Sequence, residues 1–493
     1  MKNINPEKKA FFIFLILHLL VWSVLGLIRA VLPTDALEGI YWGNLLDLGT
    51  PKHPPLFGWI IGAVWNIFKT DFSIYFISQL FIVFGFIYIY KLAKKFLDET
   101  HAILSVIILE GVWVYSYITC YYGFNPDVIM LFMLPMITYY FYKCMYEKNN
   151  KNWLILGLLM GLGVLNKYQT AFLTIPMALW AIIFKKDTFK NKYFYLSILL
   201  ALIVFSPHIF WLFKYDFFPF MYFEGELSSN SWINHISAPL MFLVLQLALI
   251  IGSLIIFFSL KYKYRFNLKL NQNYEKKDFY FILSFASIPI LLHLIMACCS
   301  GEMRPRWGFE FWYMTGILLF YFLPQKLEKN HFFFVIKGAC AVGAIIFISL
   351  FCLLAFEKNY RSRYPVDKVF SDLKTIWAQK YDTPLKYLGG YIEWTLPLTI
   401  YGDTHPKIIL DTFGYKNPWV DENELKKYGL MVIDRKEWEV VRDVKKSAPY
   451  LSDDFEIVPK EYHFKVYNAF KQEREYKIYY FIIPKVYDKI SES

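Results

Sequence analysis

Residues 10–56 read "AFFIFLILHLLVWSVLGLIRAVLPTDALEGIYWGNLLDLGTPKHPPL". The first part, Ala10 to Val31, is an apolar run close to the roughly 20 residues that a helix needs to cross a bilayer. The second part abruptly collects Asp35, Glu38, Asp47, Lys52 and His53, with the last two set before a Pro-Pro step. The run is long and no small-residue cleavage site follows it, so it reads as a retained first span rather than a signal peptide. The charges therefore stand where that span leaves the membrane.

The pattern recurs along the whole chain. With 57% hydrophobic and 20% aromatic residues, apolar runs are readable at 10–31, 72–90, 102–119, 128–146, 153–165, 170–184, 193–213, 239–260, 279–299, 309–323 and 332–356. They describe an α-helical polytopic membrane protein of about eleven or more crossings. With the basic N-terminus inside, lysine clusters such as "KLAKKFLDETH", "FKKDTFKNK" and "KYKYRFNLKLNQNYEKK" fall on the cytoplasmic side. The opposite side receives 32–71, "YYGFNPD", "LNKYQ", 214–238 and "SGEMRPRWG", which hold few basic residues but several isolated charges. The net charge of +11 thus reports topology and offers no continuous face to nucleic acid. The six cysteines lie in or beside apolar segments without metal-type spacing and read as packing residues.

From Glu357 onward the composition becomes ordinary. Short β-type runs, "PLKYLGG", "KIILD", "LMVIDR" and "KIYYFIIP", alternate with helical patterns such as "VDKVFSDLKTIWAQKY" and "KEWEVVRDVKK". Residues 357–493 are thus expected to form a soluble C-terminal α/β domain after a transmembrane domain over 1–356. Parity places it outside the cytoplasm.

The isolated charges are the candidate site. Asp35 and Glu38, three apart, share a face if "TDALEGIYWGNLL" is helical; alternatively Asp35 caps that helix and Glu38 is a solvated first-turn acid. Pro54 and Pro55 hold Lys52 and His53 on a rigid turn at the membrane surface, which suits a phosphorylated substrate. Asp127 opens a span, where an acid marks a water-filled cavity or caps the helix. Lys167 lies between two apolar segments and either joins the site or snorkels to the interface. Arg304 and Arg306 flank Pro305 against the positive-inside trend and suit either an anionic ligand or lipid headgroups. His208, Glu224, Glu226 and His235 have no metal-specific spacing; a divalent metal is the one cofactor they leave open. The chain lacks an Asp-x-Asp pair and a Walker-type loop, which argues against nucleotide-sugar or ATP chemistry.

The order of these segments resembles the GT-C membrane glycosyltransferases related to protein O-mannosyltransferases and to the bacterial lipid A aminoarabinose transferase. The acidic helix start with "KHPPL" is similar to their first extracytoplasmic loop, although Ala36 and Leu37 separate the two acids here. "YYGFNPDVIMLFMLPMITYYF" resembles their second loop, with Asp127 at its acid. "GLLMGLGVLNKYQTAFLTIP" resembles the run that ends at a basic position, here Lys167, and "MRPRWGFEFWYMTGILL" resembles a later Arg-Trp segment. No "WWD" occurs, unlike the oligosaccharyltransferase branch.

That resemblance implies a multi-pass enzyme of a bacterial inner membrane, with its site and C-terminal domain periplasmic. It implies transfer of a sugar, with inversion, from an undecaprenyl-type polyprenyl phosphate to lipid A or another envelope acceptor. Asp35, Glu38 and Asp127 are then the catalytic candidates; Lys52, His53, Lys167, Arg304 and Arg306 are the candidates for the donor phosphate. A protein O-glycosyltransferase and a polyprenol-linked sugar flippase remain the alternatives.

Overall fold

The structure is a computed structural model that describes residues 5–227, 231–268, 275–324, 326–409, 417, 420–448, 451 and 455–485. It has the expected class: an apolar helical bundle followed by a small sheet domain. By its internal contacts the chain divides into two units, one of residues up to Gly26 with Leu46–Leu350, the other of Leu27–Leu45 with residues from Phe351 onward.

Among the described residues, six helices are long and apolar enough to cross a membrane: Pro6–Ile28, Asp71–Ala93, Pro126–Tyr146, Lys192–Lys214, Lys276–Ser300 and Lys329–Phe356. Two further pairs are bent, Glu99–Gly111 with Trp113–Tyr121 by 79° and Asn234–Leu249 with Ile251–Tyr264 by 55°. Leu56–Phe68, Lys151–Asn166 and Tyr168–Phe184 are shorter apolar helices. The run anticipated as a span at 309–323 is a 3-10 helix, Pro305–Met314, followed by the short helix Thr315–Phe320. Helix Leu56–Phe68 lies inside the segment anticipated as an extramembrane loop.

Small residues set the helix spacing in the first unit. A Cβ on Gly157 would sit 2.3 Å from the Ser197 carbonyl oxygen, and one on Gly161 would sit 2.7 Å from Val204. Helices Lys151–Asn166 and Lys192–Lys214 therefore pack almost backbone to backbone, the packing that small residues four apart permit in a membrane. The outward side of Lys192–Lys214 leaves Leu199, Leu202 and Ile203 more than half exposed, as a lipid-facing surface requires. Inside the bundle, Glu110 accepts from Trp22 Nε1 at 2.8 Å and meets His18 Nδ1 at 2.7 Å, joining the first span to the first bent pair.

The second unit is built on a sheet of β1 (Tyr387–Gly390), β2 (Lys407–Ile409), β3 (Leu430–Asp434), β4 (Lys460–Tyr467) and β5 (Glu473–Ile483). Its order is β2-β1-β3-β5-β4, with β1 parallel to β2 and β3, and β5 antiparallel to β3 and β4. β3 is buried along its length and alternates strictly: Met431 and Ile433 join the core with Phe370, Trp377 and Trp394, whereas Leu430 and Val432 join that of Val440 and Val444. β4 is the strand that the sequence reading leaves out.

Residues 27–45 complete this unit. Helix Thr34–Leu45 packs on helix Ile392–Tyr401, Val31 enters the core, Ala30 N donates to Ser362 O at 2.7 Å, and Ile408 N donates to Tyr41 Oη at 3.0 Å. Residues 30–45 and the described residues from Glu357 onward consequently share one side of the membrane. In a chain whose six cysteines are replaced by serine, Ala30→Cys and Lys465→Cys, both at exposed positions, should be labelled together by an impermeant thiol reagent in spheroplasts. Labelling of one without the other until lysis would contradict this packing.

Candidate active site

The site is set by how one helix begins. Asn125 Oδ1 accepts from Asp127 N at 3.0 Å and Val128 N at 3.3 Å, and Pro126 occupies the first turn of Pro126–Tyr146. Asn125 is thus the cap, and Asp127, the alternative cap by sequence, keeps its carboxylate for other contacts. The helix N-terminus adds favourable partial positive charge beside it.

Lys167 interrupts two helices. Its backbone is extended, with φ −155° and ψ 128°, between Lys151–Asn166 and the 3-10 helix Tyr168–Leu173. Asn166 Nδ2 donates to Pro126 O at 2.9 Å, which ties this break to the start of the Asp127 helix. Lys167 is 6% exposed, and so does not snorkel to an interface. Its ammonium pairs with the Asp127 carboxylate and, at 2.7 Å, with Glu310 Oε1.

Glu310 is the residue the sequence reading missed. It is fully buried on the 3-10 helix Pro305–Met314. Side chains hold that helix in place: Gln246 Nε2 donates to Pro305 O at 2.7 Å, Trp312 Nε1 donates to Gln246 Oε1 at 2.7 Å, and Tyr313 and Thr138 hydroxyls meet at 2.7 Å. One ammonium thus faces two carboxylates. The triad carries a net negative charge when both acids are ionised.

The Lys52–His53 turn forms as expected. Thr50 Oγ1 accepts from His53 N at 2.9 Å and Lys52 N at 3.3 Å, and Thr50 N donates to His53 O at 3.0 Å. His53 lies in the electrostatic field of Lys167, Lys52, Asp127 and Arg306. Desolvation, then the Lys167, Lys52 and Arg306 cations, push its imidazole down to about 3, against the opposing effect of Asp127. Lys52 also lies 5.7 Å from the Tyr222 ring centre. Arg306 is half-buried and Arg304 exposed.

The remaining expected residues lie on other elements. Asp35 and Glu38 are on helix Thr34–Leu45 of the second unit, Glu38 buried and Asp35 partly so. His208 is spoken for by the Tyr168 hydroxyl at 2.6 Å and Leu48 O at 2.7 Å, and His235 Nδ1 meets Cys298 O at 2.8 Å. Glu224 is exposed, and the Glu226 side chain lies outside the described residues. Among the described residues no three His, Cys, Asp or Glu side chains are placed to hold a metal ion.

An apolar helical bundle with charges buried at a helix start, together with a small α/β domain, is the fold class expected from the motifs that resemble the GT-C membrane glycosyltransferases. Comparison with known proteins agrees. Residues 52–211, which include Lys52, His53, Asp127 and Lys167, match the family described as dolichyl-phosphate-mannose-protein mannosyltransferase. The chain is 22% identical over 302 residues to the lipid A galacturonosyltransferase RgtD of Rhizobium johnstonii, covering 60% of this chain and 61% of that protein. It is 25% identical over 206 residues to the lipopolysaccharide core galacturonosyltransferase RgtA of the same organism, covering 40% and 41%. The match thus spans about three fifths of one curated relative and two fifths of the other. The fold matches ArnT from Cupriavidus metallidurans in the apo state with a TM-score of 0.65 at 13% identity, over 97% of this chain and 98% of that one. For the same protein bound to undecaprenyl phosphate the TM-score is 0.61 at 12% identity, over 95% and 97%.

Two outcomes follow from the charges. Lys167→Met strands a buried carboxylate and should destabilise the protein by about 3–5 kcal/mol, whereas adding Glu310→Gln to it should restore part of that loss. Thermal melting in detergent would read both, and equal melting of Lys167→Met and the wild type would rule the ion pair out as a structural element. His53, with a folded pKa below its unfolded value, binds fewer protons than the unfolded chain between those two values. It therefore adds to a loss of stability as pH falls below about 6.5. His53→Asn should flatten that part of the stability profile.

Proposed function

We propose that this protein is an integral-membrane glycosyltransferase that moves a sugar from a polyprenyl phosphate to an envelope acceptor, with lipid A as the acceptor its relatives favour. The observation that carries the reading is Lys167 clamped by Asp127 and Glu310 beside the cationic Lys52–His53 turn. The donor class is supported by a family described for dolichyl-phosphate-mannose and by an ArnT structure that holds undecaprenyl phosphate. The acceptor is supported by relatives named for lipid A and for the lipopolysaccharide core.

Displacement at the anomeric carbon moves an electron pair onto the departing polyprenyl phosphate and requires positive charge there. Lys52 and Arg306 supply it, with Arg304 at the rim. Lys167 contributes to the same field, but its charge is matched by two acids and it chiefly fixes their position. Neutral His53 offers a hydrogen bond without adding repulsion. The attacking oxygen of the acceptor approaches the opposite face of the sugar, giving inversion, and Asp127, Asp35 or Glu38 orients it or takes its proton. An acceptor phosphate, with a second pKa near about 6, is already nucleophilic at neutral pH, so the acids then orient rather than deprotonate. The site and the sheet domain face the periplasm in this reading. The family match favours a protein hydroxyl as the second acceptor to test.

Purified protein should transfer sugar from a polyprenyl-phosphate donor with neither nucleotide nor added divalent metal, and lipid A from cells with and without the gene should differ by one sugar mass. A requirement for a nucleotide sugar would refute the donor assignment. Asp127→Asn, Asp35→Asn and Glu38→Gln separate the acceptors: a hydroxyl acceptor makes one of them nearly inactive, by roughly 10²–10⁴-fold, whereas a phosphate acceptor leaves measurable turnover in each. Full activity in all three, at normal membrane levels, would place the chemistry elsewhere.

A further inference from the structure

The second unit has a corner that no step of the proposed transfer uses. The turn between β4 and β5 reaches the end of the last span: Ala469 N donates to Ala355 O at 3.0 Å, and Asn468 Nδ2 donates to Phe356 O at 3.3 Å. Phe470, at the tip of that turn, stacks on Phe356 with ring centres 4.6 Å apart. Both rings are more than half exposed, and Tyr467 beside them is nearly so. The turn is pre-formed, since Asn468 Oδ1 accepts from Phe470 N at 3.0 Å and Gln472 N at 2.9 Å. Phe356 is the final residue of the span Lys329–Phe356, so chain continuity puts this aromatic pair at the membrane–water boundary. Tyr, such as Tyr467, is enriched at that depth, and apolar Phe rings suit its acyl side.

Cations stand at the same level. Arg363 Nη2 donates to Leu354 O at 2.7 Å, within the last turn of the span, and Arg29 follows the first span by one residue. Arg29 Nη2 donates to Arg361 O at 3.0 Å; burial first, and then the positive charge of Arg29, disfavour the charge on Arg363, which Glu357 favours. Two guanidinium groups at the ends of two spans, within each other's electrostatic reach and each anchored to a backbone carbonyl, match an anionic headgroup, because a phosphate accepts from guanidinium donors and offsets their repulsion.

We propose that this corner is a phospholipid headgroup site: the Phe356–Phe470 pair reaches the acyl boundary while Arg29 and Arg363 bind the phosphate of an anionic lipid. The site fixes the sheet domain to the leaflet and is independent of the transfer chemistry. Photo-crosslinking tests it on the full chain in vesicles of phosphatidylglycerol and phosphatidylcholine. Benzoylphenylalanine at position 470 should give lipid adducts several-fold above the same group at exposed Val458, two residues before the other end of β4. That end is roughly 26 Å away, for eight residues at about 3.3 Å each. The adducts should contain more phosphatidylglycerol than the vesicles do, and Arg29→Gln with Arg363→Gln should return them to the vesicle ratio. High salt should do the same to the unsubstituted chain, which covers the case of a double variant that does not fold. Equal adducts at 470 and 458 would overturn the site, and adducts at 470 in the vesicle ratio at low salt would overturn its phosphate-binding half.

Discussion

An ammonium group inside an apolar bundle is the constraint around which the first unit is arranged. Removing Lys167 from water costs several kcal/mol unless opposite charge meets it, and two carboxylates do. They come from segments far apart in the chain, and each segment is irregular where it meets the lysine. One helix begins at Asn125 and leaves Asp127 unneeded as a cap; two helices break at Lys167; and an expected span becomes a side-chain-braced 3-10 helix so that Glu310 turns inward. Irregular backbone at membrane depth is tolerated where protein surrounds it, and these breaks surround one another.

The fold persists at 12–13% identity to ArnT because what it needs is sparse. Close helix approach requires small residues at a few positions, such as Gly157 and Gly161, and lipid-facing positions require only apolarity. Most of the remaining sequence is free to drift. A buried charge is more demanding, since its partner must be supplied from across the bundle.

What was legible in the sequence follows the same division. Asp127 and Lys167 stood out because an isolated charge in an apolar background is costly, and the structure joins them. Glu310 did not, because it lies among aromatic residues in "RPRWGFEFWYM", where no periodicity marks a face and its partner is distant in sequence. Of the strands read from "PLKYLGG", "KIILD", "LMVIDR" and "KIYYFIIP", β1 and β3 are buried along their length, and all four runs are apolar in sequence, whereas β4 mixes charged and apolar residues and buries only Phe464 and Val466. Helix Thr34–Leu45 was readable as a helix, but its membership of the C-terminal unit depends on contacts such as Tyr41 with Ile408 that no local pattern encodes.

That divided unit bears on how the chain is made. Residues 27–45 emerge first and their partners, from Phe351 onward, come last, with roughly 300 residues of membrane bundle between them. At about 5–20 residues per second, synthesis of that interval takes on the order of 15–60 seconds. During this time the Thr34–Leu45 helix has no sheet to pack on, and Val31, Ile40 and Tyr41 must be sheltered by lipid or by an insertion factor. Biogenesis of this protein is therefore a closure problem: the amino-terminal segment waits at the membrane until the ribosome delivers the rest of its core.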